Sequence, residues 1–304
     1  MIVVLAGGVG GARFLRGLLA VTGDVTVIGN TGDDITLHGL RVCPDLDTVT
    51  YTLGNGVHED QGWGRADESF HAAEELAAYG APTWFRLGDK DIGTHLYRRA
   101  LLDEGLPLSE VTRRIAERWR LPVMLLPMTD DAVETRVVAD GREMHFQEYW
   151  VGLRASVPVE RVWLQGATAP APGVLDAIAN ADVIVLPPSN PVVSIGTILA
   201  VPGIRDAVVN ASAPVVGVSP IIGGAPVHGM ADRMLAAIGV DCTAAAVALH
   251  YGADLLDGWL VDESDAAAVE VVAAAGIACR AVPLWMTDTE STAAIAKAAL
   301  ALAR

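Results

Sequence analysis

The strongest constraint in this chain is a repeating alternation. Short runs made mostly of apolar residues occur at Ile2–Leu5, Val25–Ile28, Val123–Leu126, Val183–Leu186, Val215–Val218, Trp259–Val261 and Cys279–Val282. Runs of this length read as strands buried on both faces, the pattern of a parallel sheet covered by helices. Segments of helical length and composition follow or precede them at Leu108–Trp119, Pro172–Ala179, Ala231–Ile238, Ala266–Ala275 and Thr289–Ala303. Ser109, Asp176 and Asp265 sit near the expected helix starts, and Gly239 and Gly276 fit helix stops. The predicted class is α/β, with a Rossmann-like, mostly parallel sheet and helices on both faces. One segment breaks the alternation. Glu134–Val138 and Arg142–Phe146 flank Asp140-Gly141, a two-residue hairpin signal. With the loop- and helix-rich stretch 45–120, it suggests a smaller helical and hairpin lobe. The expectation is one α/β domain over 1–304, with residues of about 45–150 inserted as a substrate-binding lobe.

Charge and cysteine usage narrow the function classes. The chain carries 37 acidic and 21 basic residues, a net charge of −16, which argues against nucleic acid or an anionic membrane as partner. Small phosphate ligands stay open, because local amides, single cations or a metal can hold them. The uncharged stretches Val183–Ile204 and Ala207–Ala231 are interrupted throughout by Pro, Gly, Ser and Asn, so they read as buried strand, helix and ligand-facing loop rather than membrane spans. The opening Met1-Ile-Val-Val-Leu has no basic n-region and reads as a strand rather than a signal peptide. Cys43, Cys242 and Cys279 have neither zinc spacing nor a disulfide pattern. A reduced, cytoplasmic enzyme is the simplest expectation.

Six segments carry chemistry. The first strand ends in Ala6-Gly-Gly-Val-Gly-Gly-Ala12, with a helical stretch from Arg13. Glycines at such a turn let backbone amides approach an anion, and the helix N-terminus favours negative charge. The run is neither a dinucleotide fingerprint, since Arg13 falls on its third glycine, nor a P-loop, since no Gly-Lys-Ser/Thr follows. Strand two runs into Asn30-Thr-Gly-Asp-Asp34, either an Asx-type turn or part of a ligand crevice. Asp45 and Asp47 in Pro44-Asp-Leu-Asp-Thr48 are two apart, so in an extended segment both face one side, a pair suited to magnesium or to a metal and a hydroxyl. The alternative is a solvated helix start. Lys90, one of only two lysines, lies between Asp89 and Asp91 in Gly88-Asp-Lys-Asp91. It is either a point charge for a phosphate or substrate oxygen, or part of a surface cluster. Ser189 and Asn190 in Pro187–Gly196, and the later loop Ser219–Pro226, offer neutral donors and acceptors on successive strand ends. His38, His95, His145 and His228 lack ligand spacing and read as structural.

Taken together and in order, Ala6-Gly-Gly-Val-Gly-Gly, Gly29-Asn-Thr-Gly-Asp-Asp, Pro44-Asp-Leu-Asp-Thr-Val, Leu87-Gly-Asp-Lys-Asp, His145-Phe-Gln-Glu-Tyr-Trp-Val, Pro188-Ser-Asn-Pro and Ser219-Pro-Ile-Ile-Gly resemble the 2-phospho-L-lactate transferase/phosphoenolpyruvate transferase family of coenzyme F-420 biosynthesis. The resemblance spans nearly the whole chain. It implies transfer of a phosphoenolpyruvyl or phospholactyl group from a guanosine diphosphate-linked donor to the ribityl hydroxyl of the deazaflavin Fo, releasing GMP. It implies Mg2+ as cofactor, with Asp45 as metal ligand and Asp33 or Asp34 as companion. Gly7, Gly8, Gly10 and Gly11 would cradle the phosphates, with Asn30 beside them. Asp47 matches a position that holds Fo and would assist deprotonation. Lys90 matches a basic Fo contact where arginine is common, and Ser189 and Asn190 would line the site. The family is typically homodimeric. A non-catalytic nucleotide-sugar-binding regulator of the gluconeogenesis-factor type shares the glycine loop and the Asn-Thr-x-Asp-Asp turn. It does not match Pro44–Val49, Gly88–Asp91 and His145–Val151 together. For an NAD-dependent dehydrogenase, the chain lacks both the fingerprint and the ribose carboxylate.

Overall fold

Strands that are apolar along most of their length must be covered on both faces, and the fold provides two covering layers. The structure, a computed structural model, describes residues 1–303. The first third runs β1 (Ile2–Ala6), α1 (Gly8–Leu19), β2 (Val25–Gly29), β3 (Ile35–Leu37), β4 (Leu40–Val42), α2 (Pro44–Leu53), α3 (His71–Ala78) and α4 (Asp89–Asp103). It continues with α5 (Leu108–Trp119), β5 (Met124–Pro127), β6 (Glu134–Ala139), β7 (Arg142–His145), β8 (Val159–Gln165), α6 (Val174–Ala179) and β9 (Val183–Leu186). The last part holds α7 (Ile195–Ala200), α8 (Ile204–Val209), β10 (Val215–Val218), β11 (Ile221–Ile222), β12 (Ala225–Pro226) and α9 (Ala231–Ala237). It closes with α10 (Ala244–Tyr251), β13 (Gly258–Val261), α11 (Ala268–Ala274), β14 (Ala278–Ala281) and α12 (Thr289–Leu302).

Seven strands form the main sheet in the order β14-β13-β10-β9-β1-β2-β5, every pair parallel. The expected α/β class and all seven expected strands are present. Alternate strand residues serve opposite faces. Val4, Ala6 and Val27 pack with Phe14, Leu15 and Leu18 of α1, Leu46 and Val49 of α2, and Ile295 of α12. Val3, Leu5 and Ile184 pack with Ile178 of α6, Ile198 of α7, Val208 of α8 and Val247 of α10. From β1 the sheet grows toward β2 in one direction and toward β9 in the other. Open α/β sheets place ligands at such a reversal, beyond the carboxyl ends of the strands.

The segment 45–150 is distributed between layers. Leu46, Val49 and Leu53 of α2 belong to the same core as β1, and β5 is the outer strand of the main sheet. The helices α3 and α4 lie between α2 and α5 in the chain, and α4 packs Leu101 against Val111 and Ile115 of α5. The predicted hairpin forms as β6 and β7, with Asp140 and Gly141 both at left-handed φ, and β8 joins it to make a separate antiparallel sheet. That sheet has its own small core, where Val137, Met144, Phe146 and Tyr149 meet Met234 of α9.

Two local expectations need correction. The first helix starts at Gly8, not Arg13, so most of the glycine run is itself helix start. The Asp45–Asp47 segment is helical, not extended: Pro44 opens α2 with the φ that proline prefers. Nor is this helix start solvated, since Asp45 and Asp47 are 6% and 5% exposed. No helix among the described residues is long and apolar enough to cross a membrane.

Candidate active site

A cavity of about 430 Å3 opens where the carboxyl ends of β1, β2 and β9 meet the start of α2 and the β6–β7 sheet. The turn after β1 forms its floor. Gly7 caps α1 in extended backbone, and Gly8 follows at φ +66 with open space where a side chain would stand. The left-handed backbone at Gly8 strongly favours glycine. Gly7 and Gly10 meet a different demand, close approach. A β-carbon on Gly7 would strike the Asp45 carboxylate and Ser194, and one on Gly10 would strike the Pro188 carbonyl. Gly11 packs on Ser189 and Ala6 and is not part of the cavity wall. Thus Gly7, Gly8 and Gly10 border the cavity, while Gly11 lets the Pro188–Ser189 loop close over α1.

Asn30 also stands behind the wall. It is fully buried, donates through Nδ2 to Asp45 Oδ2 at 2.8 Å and to the Val193 carbonyl at 3.1 Å, and accepts from the Gly32 amide and the Thr197 hydroxyl. All its hydrogen-bonding groups are occupied, so it orients Asp45 rather than meeting a ligand. This corrects its expected role.

The carboxylates divide in the same way. Asp33, Asp45 and Asp47 line the cavity, whereas Asp34 is turned away and bound to Arg41 at 3.0 Å, with the Cys43 thiol donating to the same oxygen. Asp34 is therefore not a cation ligand beside Asp45. Burial pushes the Asp45 carboxyl up to about 6, with the Asp34 charge adding and the Asn30 amide and Gly8 N–H opposing. Burial and the neighbouring Asp45 charge push Asp33 well above the usual carboxylate range. Asp33 Oδ2 accepts from Gln147 at 3.3 Å, while its Oδ1 is buried without a partner. Two desolvated carboxylates with an unsatisfied oxygen fit a divalent cation. Among the described residues no set of three or more His, Cys, Asp or Glu side chains surrounds such a point. Magnesium is commonly held by one or two carboxylates plus water and substrate phosphates, so the pair suffices.

Asp47 points to the opposite wall. Arg98 Nη2 donates to its Oδ1, and its Oδ2 has no partner. Ser189 Oγ donates to the Gly7 carbonyl at 2.8 Å, which ties the β9 loop to the glycine turn. Asn190 Oδ1 accepts from the amides of Val192 and Val193, and its Nδ2 makes no hydrogen bond among the described residues. Lys90 is not in the wall. It sits one helix position before Asp91, on the outer side of α4, and its Nζ donates to the Ala66 carbonyl at 3.2 Å. Arg86 occupies the wall instead, its guanidinium stacked 3.9 Å from the centroid of Phe70.

Aromatic side chains form the outer part of the cavity. Phe146 and Trp150 lie with ring centres 5.7 Å apart, Trp84 and Phe85 meet edge-on at 5.8 Å, and Trp63 stands 51% exposed at the mouth. Sequence reasoning missed this wall, although Gln147-Glu-Tyr-Trp150 marked part of it. It also overestimated the loop at Ser219. That hydroxyl closes on Ile221, and Gly223-Gly224 is the turn of the β11–β12 hairpin, so only His228, Gly229 and Met230 beyond it reach the cavity. His145 is structural as expected: Nε2 faces the Asp34 carbonyl at 3.0 Å and Nδ1 accepts from the Gln147 amide.

A family model described as 2-phospho-L-lactate transferase CofD matches residues 2–290. The chain belongs to this family. A phosphoenolpyruvate transferase of Streptomyces coelicolor is 66% identical over 311 residues, covering 99% of this chain and 98% of its own length. Another from Thermobifida fusca is 62% identical over 319 residues, covering 99% and 97%. Two solved structures of a Bacillus halodurans protein, one described as a member of the upf0052 family, match with TM-scores of 0.65 and 0.66 at 19% identity over 98% of both chains. That likeness speaks for the fold alone. This CofD-family chain is thus a transferase, as its motif order implies, and the regulator reading is set aside.

Proposed function

We propose that this CofD-family enzyme transfers a phosphoenolpyruvyl group from a guanosine diphosphate-linked donor to the terminal ribityl hydroxyl of Fo, giving dehydro-F-420-0 and GMP. The observation that carries the reading is one cavity in which a glycine turn, the carboxylates of Asp33, Asp45 and Asp47 and an aromatic wall converge. The enolpyruvyl rather than lactyl donor is favoured by relatives at 62–66% identity that bear the name phosphoenolpyruvate transferase.

In this reading the Gly7–Gly10 turn binds the diphosphate, its amides facing charge that grows on the departing GMP. Asp45 and Asp33 would hold Mg2+, which supplies charge neutralisation on phosphate oxygens when bound. Asn30 fixes the Asp45 rotamer. Asp47, braced by Arg98, receives the ribityl hydroxyl on its unpaired Oδ2 and takes its proton as the new oxygen–phosphorus bond forms and the bond to GMP breaks. The deazaflavin ring rests on Trp84, Phe146 and Trp150, Arg86 provides the cation on that side, and Asn190 Nδ2 donates to a ligand oxygen. The same reading includes a cytoplasmic homodimer, the commonest closed assembly for a chain of this kind.

The test is a fluorescence titration of the purified chain with Fo, with and without GDP and Mg2+, followed by mass analysis of the product from each donor. Saturable Fo binding that responds to GDP and Mg2+, with dehydro-F-420-0 formed faster than F-420-0, is the expected result. No Fo binding under any condition would overturn the reading.

A further inference from the structure

Asp91, His95 and Arg98 occupy one face of α4 at spacings of four and three residues, turned inward. His95 is wholly buried and Arg98 is 2% exposed. Arg98 Nη1 donates to the Arg41 carbonyl at 3.1 Å and meets His95 Nδ1 at 3.0 Å, while Nη2 donates to Asp47. A guanidinium has only donors, so His95 Nδ1 must accept and its ring proton sits on Nε2. That nitrogen faces Asp91 Oδ2 at 3.3 Å, and the other Asp91 oxygen accepts from the Tyr51 hydroxyl. The same imidazole lies 3.8 Å from Asp47 Oδ2, the oxygen that has no partner. One buried ring therefore stands between two carboxylates that both line the cavity.

Packing does not call for this arrangement. The contact between α4 and α5 is made by Leu101, Val111 and Ile115, and burying an arginine and a histidine is a poor route to stability. Carboxylates held in fixed positions are, by contrast, strong acceptors for hydroxyl donors. Burial pushes the Asp91 carboxyl up, but His95, the Tyr51 hydroxyl and Arg98 outweigh it and hold it below the usual range. Glu68 approaches from the other side, accepting from the Asp91 backbone amide at 2.8 Å.

We infer that Asp91 is a second substrate-binding carboxylate, which together with Asp47 grips the hydroxyl-rich chain of a ligand whose flat ring lies on the aromatic wall. His95 and Arg98 are positioning residues that set the spacing of the two carboxylates. The inference rests on the deazaflavin reading above and extends it to the middle of the ribityl chain.

The experiment compares two ligands on the full chain: Fo, and the same deazaflavin ring carrying a methyl group in place of the polyhydroxyl chain. Asp91→Ala is expected to weaken Fo at least about tenfold, the equivalent of one lost charge-assisted hydrogen bond, and to leave the methyl compound within about twofold. His95→Leu should reproduce that selective loss. His95→Gln, whose amide can accept from Arg98 and donate toward Asp91, should recover most of it. Asp91→Asn keeps the side-chain volume and gives the same selectivity if the alanine variant does not fold. Equal weakening of both ligands, or no weakening of either, overturns the inference. A wild-type chain that binds neither compound overturns the acceptor reading itself, and the inference with it.

Discussion

At the residue scale, Asp45 shows what burying a carboxylate in a cavity wall costs the protein that carries it. Its carboxyl is raised from 3.8 to about 6 chiefly by burial, so the folded state binds a proton more tightly than the unfolded chain. Stability from this group is therefore greatest below about pH 4 and is lost as pH rises through about 6. Without divalent cation, Asp45→Asn should be more stable than wild type at pH 7.5 by up to about 3 kcal/mol, one pKa unit being about 1.4 kcal/mol. The difference should vanish near pH 4, and the variant should be inactive. Denaturant melts at the two pH values check this; equal stability at pH 7.5 would show that the carboxylate carries no strain. A second prediction separates two cations. Arg86 borders the cavity whereas Lys90 does not and reaches the Ala66 carbonyl, so Arg86→Ala should weaken Fo binding by several-fold or more and Lys90→Ala by less than about twofold. Paired titrations decide it, and a larger effect at Lys90 would mean that α4 begins differently in the bound state.

At the scale of elements, the site depends on three segments in close approach. The start of α1 lies under the Pro188–Ser189 loop and against the start of α2, with no room for a β-carbon at Gly7 or Gly10. Gly10→Ala has nowhere to go, because the obstructing atom is a backbone carbonyl rather than the end of a flexible side chain. The variant should lose about 1–3 kcal/mol of stability and most of its transfer activity as the loop is pushed off α1. A thermal melt with a turnover assay tests this, and a fully active, fully stable variant would disprove the packing argument. These elements were unevenly legible. The strands and the β6–β7 hairpin could be read because apolar runs and an Asp-Gly turn act locally. The helix α4 was not, because its inward face is made of Asp91, His95 and Arg98 rather than leucine, and a polar stripe does not announce a buried surface.

At the scale of the whole molecule, the cavity exists only because the sheet grows both ways from β1. That reversal brings residues 7–10, 33–51, 84–91, 146–151 and 188–194 to one place. The sequence by itself determined the α/β class, the seven parallel strands, the glycine turn and the family, since each is written in a short local pattern or in the order of such patterns. Only the tertiary structure decided which chemically similar neighbours face the cavity. Asp33 lines the cavity and Asp34 pairs with Arg41; Arg86 lines it and Lys90 does not; Asn30 and Gly11 stand behind the wall. The physical reason is that adjacent residues share composition and propensity but not direction. On a helix or a tight turn one step along the chain rotates a side chain by about 100°, and long-range packing alone fixes where that rotation points.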